Sequence, residues 1–374
     1  MDFLGKEIKK LGFGLMRLPM IGDEIDIEQT KAMADEFMAK GFTYFDTAYV
    51  YGENGASEKA AKAAVVDRFP RESFQLASKL PIWCCKTKED LQKVFDISLE
   101  RTGAGYFDYY LNHSLSKDKL GKLDELGAWD FVAEMKEKGL VKHMGFSFHD
   151  SAEVLDEILT AHPEQEFVQL QINYNDWESE SVQARKCYEV ARKHNKPIII
   201  MEPVRGGALA ELTPEIQKIF KDVRPEMSVA SWAIRFAANL EGVITVLSGM
   251  SDMAQMNDNL SYMTDLEPFS DEEKAAVDKV ADILKNTPTV PCTNCKYCTE
   301  GCPEKINIPE LFKVFNRRKV YGCIEQTNNR FNEIVSESGR PDACIECGQC
   351  ESVCPQHIEI ISLLSEINKE FKGE

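Results

Sequence analysis

Eight of the chain's twelve cysteines fall in two runs of one form, CTNCKYCTEGCP at Cys292–Pro303 and CIECGQCESVCP at Cys344–Pro355. Both read C-x2-C-x2-C-x3-C-P, the ligand spacing of [4Fe–4S] clusters. Three closely spaced thiolates wrap three irons of a cubane from one tight loop. The fourth cysteine, just before a proline, is turned away, and where two such runs occur it ligates the other cluster. One cluster then takes Cys292, Cys295, Cys298 and Cys354, and the other takes Cys344, Cys347, Cys350 and Cys302. Zinc prefers two separated C-x2-C pairs, and a reducing compartment does not keep disulfides. Two intact runs favour iron–sulfur clusters, whose chemistry is single-electron transfer.

A second set of reactive side chains is scattered through the first third of the chain. Asp46, Tyr51, Lys79 and His113 fall at or just past the ends of three successive β-rich runs, Asp46 and Tyr51 sharing the first of these. A tyrosine titrates near about 10 and is a poor acid at neutral pH. A buried Lys79 beside Tyr51 is expected to lower that value, with Asp46 holding Lys79 charged and oriented. His113 can hydrogen-bond a substrate oxygen. Together they suit proton donation to a carbonyl oxygen that gains charge as hydride arrives at carbon, help worth about 10²–10⁴ in rate. One polar residue at a strand end is ordinary; four at neighbouring ends form a constellation.

The elements that must position them alternate regularly. Expected strands are Leu11–Arg17, Thr43–Asp46, Phe74–Lys79, Tyr106–Asn112, Val141–Ser147, Phe167–Asn173, Pro197–Met201 and Val243–Leu247. Helical patterns at Ile27–Lys40, from Ser57, Lys88–Arg101, Leu123–Lys138, Ala152–Ala161, Ser179–His194 and around Met227–Asn239 separate them. Eight β/α units in about 270 residues predict a TIM (β/α)8 barrel, with the functional mouth at the C-terminal strand ends. A doubly wound sheet fits the count less well. No Gly-x-Gly-x-x-Gly follows a strand, and Gly12-Phe13-Gly14 reads as backbone approaching a ligand or a turn. The expected division is a barrel over 1–286 and a small, mostly helical two-cluster domain over 287–374.

The chain has 374 residues and a formal net charge of −18. That balance argues against nucleic acid and anionic membranes as partners. The sequence MDFLGKEIKK lacks an apolar leader core and no apolar run is long enough for a bilayer, which predicts a cytoplasmic protein. Exposed cubanes suit an oxygen-poor host. Cys84, Cys85, Cys187 and Cys323 show no framework spacing and read as reduced thiols. His143, His149, His162 and His194 have no partner pattern and read as packing or surface residues. Cys323 and His357 lie near the cluster runs in sequence.

GFTYFDTAYVYGENGASE (Gly41–Glu58), SKL (Ser78–Leu80), DYYLNHSL (Asp108–Leu115) and GFS (Gly145–Ser147) resemble the aldo-keto reductase superfamily, as do LQINYN (Leu170–Asn175) and EPVRGGAL (Glu202–Leu209). The resemblance covers about Leu11 to Met263. It implies a TIM barrel with Asp46, Tyr51, Lys79 and His113 as its catalytic tetrad. It also implies that Ser147 and Gln171 hold a nicotinamide carboxamide, so NAD(P)(H) is the expected hydride source. The family's usual Asn after that serine is Phe148 here, and its aromatic platform is replaced by Met201, followed by Glu202. The cations that grip a 2′-phosphate fall near Gly249 and Gln255, neither of them charged, which weakens the case for NADP. Met250, Ser251 and Asn259 are candidates for an adenine pocket. Arg205-Gly206-Gly207 suits a pyrophosphate or an ordinary loop. The C-terminal part resembles helical dicluster ferredoxin domains, because 41 residues with helical patterning separate Cys302 from Cys344.

The expected function is an oxidoreductase that interconverts a carbonyl and its alcohol, linked through two clusters to a ferredoxin or flavodoxin-like carrier. A hydride carries two electrons and a cubane passes one, so a flavin is a further candidate cofactor. Trp83, beside Cys84-Cys85 after the third strand, is expected at the mouth, stacked on a substrate or flavin, or else in a substrate loop or at the core edge. Two rival readings stand beside this one: a nicotinamide-dependent carbonyl reductase with structural clusters, and a non-catalytic redox sensor or partner platform.

Overall fold

The computed structural model describes Leu4 and residues 7–372. Apart from Leu4, the first six residues, read above for the lack of a leader, lie outside the described ones. The chain divides into two compact units. One comprises the residues up to Gly206 with Ala230–Lys274, the other Gly207–Val229 with the residues from Ala275 onward.

The first unit carries the eight strands β1 (Leu11–Gly14), β2 (Tyr44–Asp46), β3 (Gln75–Leu80), β4 (Phe107–Leu115), β5 (Val141–Phe148), β6 (Phe167–Gln171), β7 (Ile198–Met201) and β8 (Val243–Ser248). Each pairs in parallel with the next, and β1 pairs with β8, so the sheet closes. Runs such as IIIM in β7 are apolar at every position because both faces are covered. Tyr44, Tyr109, Phe167, Ile199 and Ile244 pack together as one buried cluster.

Two glycines are set by this closure. A Cβ at Gly12 would lie 2.8 Å from Leu247 and 3.1 Å from Tyr44, and one at Gly145 would lie 2.4 Å from the Phe167 carbonyl. Gly12 is therefore explained by strand packing, which corrects the expectation of a ligand approach or turn there.

Several boundaries differ from the expected ones for local reasons. The single helix expected over Leu123–Lys138 is two, Lys117–Leu126 and Ala128–Glu137, broken at Gly127 with φ of +66°. The helix expected from Ser179 begins at Ala184, after Gln183 adopts φ of +54°. Strand β4 runs on past Asn112 through a register irregularity that ends at Leu115, with Ser114 at φ of +56°. Helices at Pro214–Val223 and Met253–Met263 were not expected.

In the second unit, helices Ile308–Tyr321, Ile324–Glu337 and Ile360–Lys372 enclose a core that includes Leu311, Phe312, Phe315, Phe331, Leu364 and Ile367. Single helical turns at Tyr297–Glu300 and Gln349–Ser352 carry the third cysteine of each run. Ile306 bridges to Gly339, where any Cβ would meet the Glu304 carbonyl at 1.9 Å. Among the described residues no helix is long and apolar enough to cross a membrane.

Candidate active site and cysteine cavities

At the C-terminal end of the barrel, Asp46 closes β2 and Lys79 lies one residue from the end of β3. Their strands pair with Asp46 opposite Ala77, so Lys79, two residues on, faces the same side as Ala77. Lys79 Nζ donates to Asp46 Oδ1 at 2.6 Å and to the Thr47 carbonyl at 2.8 Å, with the lysine fully buried. Burial pulls the lysine's pKa down, but Asp46 and Tyr51 outweigh it, so Lys79 is held cationic. Burial raises the Asp46 carboxyl above its usual range, with Lys79 pulling it back.

Tyr51 places its ring 4.7 Å from that ammonium and meets the His113 ring edge-on at 5.9 Å. The tyrosine pKa is raised. Burial dominates, Lys79 opposes it, and Asp46 and Glu202 add to the rise. This reverses the expected lowering: Lys79 is close enough to act, but the depth of the phenol costs the phenolate more. Tyr51 therefore keeps its proton, the state a proton donor needs. His113 is pushed down to about 2 by burial and by Lys79, His149 and Lys119, so its imidazole is neutral, and its Nδ1 is buried without a hydrogen-bond partner. Four groups from three strand ends thus converge as a buried cation, a protonated phenol, a neutral imidazole and a carboxylate.

The residues expected to hold a nicotinamide divide. Ser147 Oγ accepts the Ser114 backbone N–H at 2.7 Å, which leaves its own hydroxyl proton to give. Gln171 donates its amide to Asp176 at 3.0 Å, which leaves its carbonyl oxygen for a carboxamide. Asp176, missed in the sequence reading, is buried and also accepts from Asn173 at 2.9 Å and Arg205 at 3.0 Å. Arg205 and Gly206 have φ of +51° and +63°, and Gly207, which belongs to the other unit, has +88°. Met250 is buried in the core, and Ser251 is tied to the Arg17 carbonyl at 2.8 Å. Asn259 donates to the Gln255 carbonyl at 2.9 Å and keeps a buried Oδ1 without a partner. A second missed residue is Arg17. Its guanidinium would be 3.5 Å from a Cβ at Gly206, and its stem 3.7 Å from one at Gly249. The Arg17 stem thus passes Gly249, while its guanidinium turns towards Gly206 and pairs with Glu202 at 3.8 Å. Serine hydroxyl, glutamine carbonyl, orphaned asparagine oxygen and arginine together fit a dinucleotide.

The remaining candidates are ordinary. Trp129 stacks on His162, His143 pairs with Glu166 and His194 with Asp156. Burial raises the Cys85 thiol to about 11 and the Cys187 thiol to about 12, so both stay protonated.

In the second unit the eight run cysteines line two cavities. One is walled by Cys302, Cys344, Cys347 and Cys350 with Ile306, Ile308 and Leu364. The other is walled by Cys292, Cys295, Cys298 and Cys354 with Pro309, Phe312 and Ile358. In each, the fourth cysteine comes from the opposite run. A cubane spreads its ligand sulfurs round a cluster, and among the described residues no three His, Cys, Asp or Glu groups close on a single-ion position. Four thiols around a largely apolar cavity fit such a cluster. Cys323 packs on the Ala208 and Glu211 carbonyls, and neither it nor His357 lines either cavity.

Comparison with known proteins agrees with both parts. The sequence model "Aldo/keto reductase family" matches residues 10–282, and "4Fe-4S dicluster domain" matches residues 291–359. A probable aldo-keto reductase of Glycine max is 30% identical over 46% of this chain and 50% of its own length. The chain thus spans half the length of that relative. L-Galactose dehydrogenase of Arabidopsis thaliana is 21% identical over 75% of this chain and 93% of its own. Among solved structures, an aldo/keto reductase from Klebsiella pneumoniae in complex with NADP and acetate superposes with a TM-score of 0.59 at 19% identity, over 73% of this chain and 92% of that one.

Proposed function

Because the chain belongs to the aldo/keto reductase family, we propose that it is an oxidoreductase that reduces an aldehyde or ketone, or oxidises the matching alcohol, with Tyr51 as the proton donor. One observation carries this reading: Lys79 is buried against Asp46 at 2.6 Å with its ammonium beneath the Tyr51 ring. A bound NAD(P)H supplies the hydride. Tyr51, protonated at neutral pH, delivers a proton to the carbonyl oxygen, and neutral His113 donates a hydrogen bond to the same atom. Lys79 stabilises the phenolate left behind, and Asp46 keeps Lys79 charged. Ser147 and Gln171 orient the carboxamide, with Arg17, Arg205 and Gly206 near the phosphates and Ser251 and Asn259 near the adenine. The solved structure with NADP lends support to that choice of cofactor.

For the C-terminal part we propose two [4Fe–4S] clusters, one held by Cys292, Cys295, Cys298 and Cys354, the other by Cys344, Cys347, Cys350 and Cys302. Such clusters supply one-electron chemistry, for which a ferredoxin or flavodoxin-like carrier is the fitting partner. A domain boundary near residue 286 accords with the gap between the two matched segments. Hydride transfer to a carbonyl needs no flavin, and none is assigned. The cytoplasm is the proposed location.

A second reading makes the clusters structural, favoured by the inclusion of Cys298 and Cys350 in the core of their unit. An anaerobic experiment separates the two. Oxidised, cluster-intact protein is mixed with NADH or NADPH, and the clusters' visible absorbance is followed before and after an aldehyde is added. Bleaching without aldehyde supports electron sharing. Nucleotide consumed only with aldehyde, with no bleaching, supports structural clusters. No response at all overturns the nicotinamide reading.

A further inference from the structure

The barrel mouth holds a cation that carbonyl chemistry leaves unused. Lys119, in the helix Lys117–Leu126 after β4, donates from Nζ to the Ser114 carbonyl at 2.5 Å and to Ser114 Oγ at 3.3 Å. An ammonium has three N–H donors, so one remains. The same Nζ lies 5.3 Å from the centre of the Trp83 ring. Trp83 lies 5.1 Å from His113, and His113 lies 5.9 Å from Tyr51. Tyr51, His113, Trp83 and Lys119 therefore form a chain of contacts that begins at the proton donor. Trp83 keeps 43% of its surface exposed, so it is a wall of the mouth and not core.

The electrical setting is as specific as the spacing. On a chain of net charge −18 an anion is generally repelled. The helix beside the mouth carries three lysines, Lys117, Lys119 and Lys122, and three acids, Asp118, Asp124 and Glu125, and of its cations it is Lys119 that lies against Trp83. Asp118, the nearest acid on that helix, has its carboxylate engaged by the Ser116 hydroxyl at 2.5 Å. His149 stands close by, its pKa lowered by desolvation of the ring and by Lys119. An apolar wall that leads from a carbonyl site to a cation recognises a molecule with a carbonyl at one end and an anion at the other. One ammonium with one spare donor suits a carboxylate better than a phosphate, whose charge calls for several donors.

We propose that Lys119 and Trp83 form an anion subsite, so that the substrate is an oxo acid: an aldehyde or ketone carrying a carboxylate across a short chain or one ring. This rests on the carbonyl reading of Tyr51. The test uses full-length, cluster-loaded protein with NADH or NADPH and two probes of equal shape, 3-formylbenzoate and its methyl ester. The acid is expected to exceed the ester in kcat/KM by about 10–100-fold, mostly through KM, as a charge-assisted contact implies. Lys119→Met is expected to bring the ratio to near one, and Lys119→Arg to keep most of it. A merely structural role, acting through Ser114 on His113, would slow both probes together and leave the ratio unmoved; that result overturns the subsite, as does equal use of both probes by the unmodified protein. Calorimetric titration with 3-formylbenzoate separates this from failure of the parent reading. Binding lost in Lys119→Met, with neither probe reduced by any variant, keeps the subsite and removes the carbonyl reading. Absence of both binding and turnover overturns both.

Discussion

Lys79 donates to Asp46 across 2.6 Å with neither side chain reaching solvent, and the same ammonium faces the Tyr51 ring at 4.7 Å. A cation taken this far out of water is tolerable only while its counter-ion is present. The pair thus does two things at once: it keeps Lys79 charged where the phenolate would form, and it commits two barrel strands to one register.

Asp46→Asn removes the counter-ion and leaves Lys79 buried and uncompensated. It is expected to destabilise the barrel by about 3–5 kcal/mol and to lower kcat for carbonyl reduction together with stability. Denaturant unfolding checks the first effect and steady-state kinetics the second. A variant that unfolds within about 0.5 kcal/mol of the parent would show that the pair is not the buried anchor described.

The pH profile follows from burial. His113, depressed to about 2, carries no charge change anywhere near neutrality, and Tyr51, raised above its ordinary value, holds its proton throughout the same range. The rate of carbonyl reduction should be flat between about pH 5 and 8. An inflection near 6–7 that disappears in His113→Gln would contradict the neutral, buried imidazole.

Crosswise lining of the cysteine cavities makes a prediction that sequence order alone does not. Cys302 belongs to the first run but lines the cavity of Cys344, Cys347 and Cys350. Cys302→Ser should therefore perturb the same cluster as Cys347→Ser, and Cys354→Ser the same one as Cys295→Ser. Electron paramagnetic resonance of the reduced variants reads this directly. Matching spectra for Cys302→Ser and Cys295→Ser would instead mean that each run keeps its own cluster.

Glu166 anchors β5. Burial alone would raise its carboxyl, but hydrogen bonds from His143, Lys136 and the Met144 backbone hold it down to about 2. Because the folded value lies below the unfolded one, this stabilisation is present above about pH 4.5 and is lost as pH falls towards 2. Glu166→Gln should cost about 1–2 kcal/mol at pH 7 and about half as much or less at pH 3, as melting temperatures at the two values would show. An equal loss at both would mean that the carboxylate's charge is not what stabilises.

What could be read from the sequence was what is local. The cysteine runs declare themselves because all the ligands of one loop lie within eleven residues. Asp46, Lys79 and His113 were readable because a barrel brings strand ends together. Arg17, Lys119 and Asp176 were not, because each acquires its role from a long-range neighbour. Arg17 reaches Gly249 through the pairing of β1 with β8, and Lys119 reaches Trp83 beside the irregular end of β4. The direction of the Tyr51 shift was misjudged for a related reason: a sequence tells which charge stands nearby but not how deeply the phenol is buried. Gly127 breaks a helix through its own positive φ, yet the pattern on either side of it reads as continuous.

In the proposed reaction Tyr51 gives the proton to a carbonyl oxygen. Its most direct test is Tyr51→Phe, assayed anaerobically with NADPH and a reactive aldehyde while nucleotide binding is titrated in parallel. The variant should lose about 10²–10⁴ in kcat with nucleotide affinity unchanged. Reduction at the parent rate in that variant would contradict this role of Tyr51.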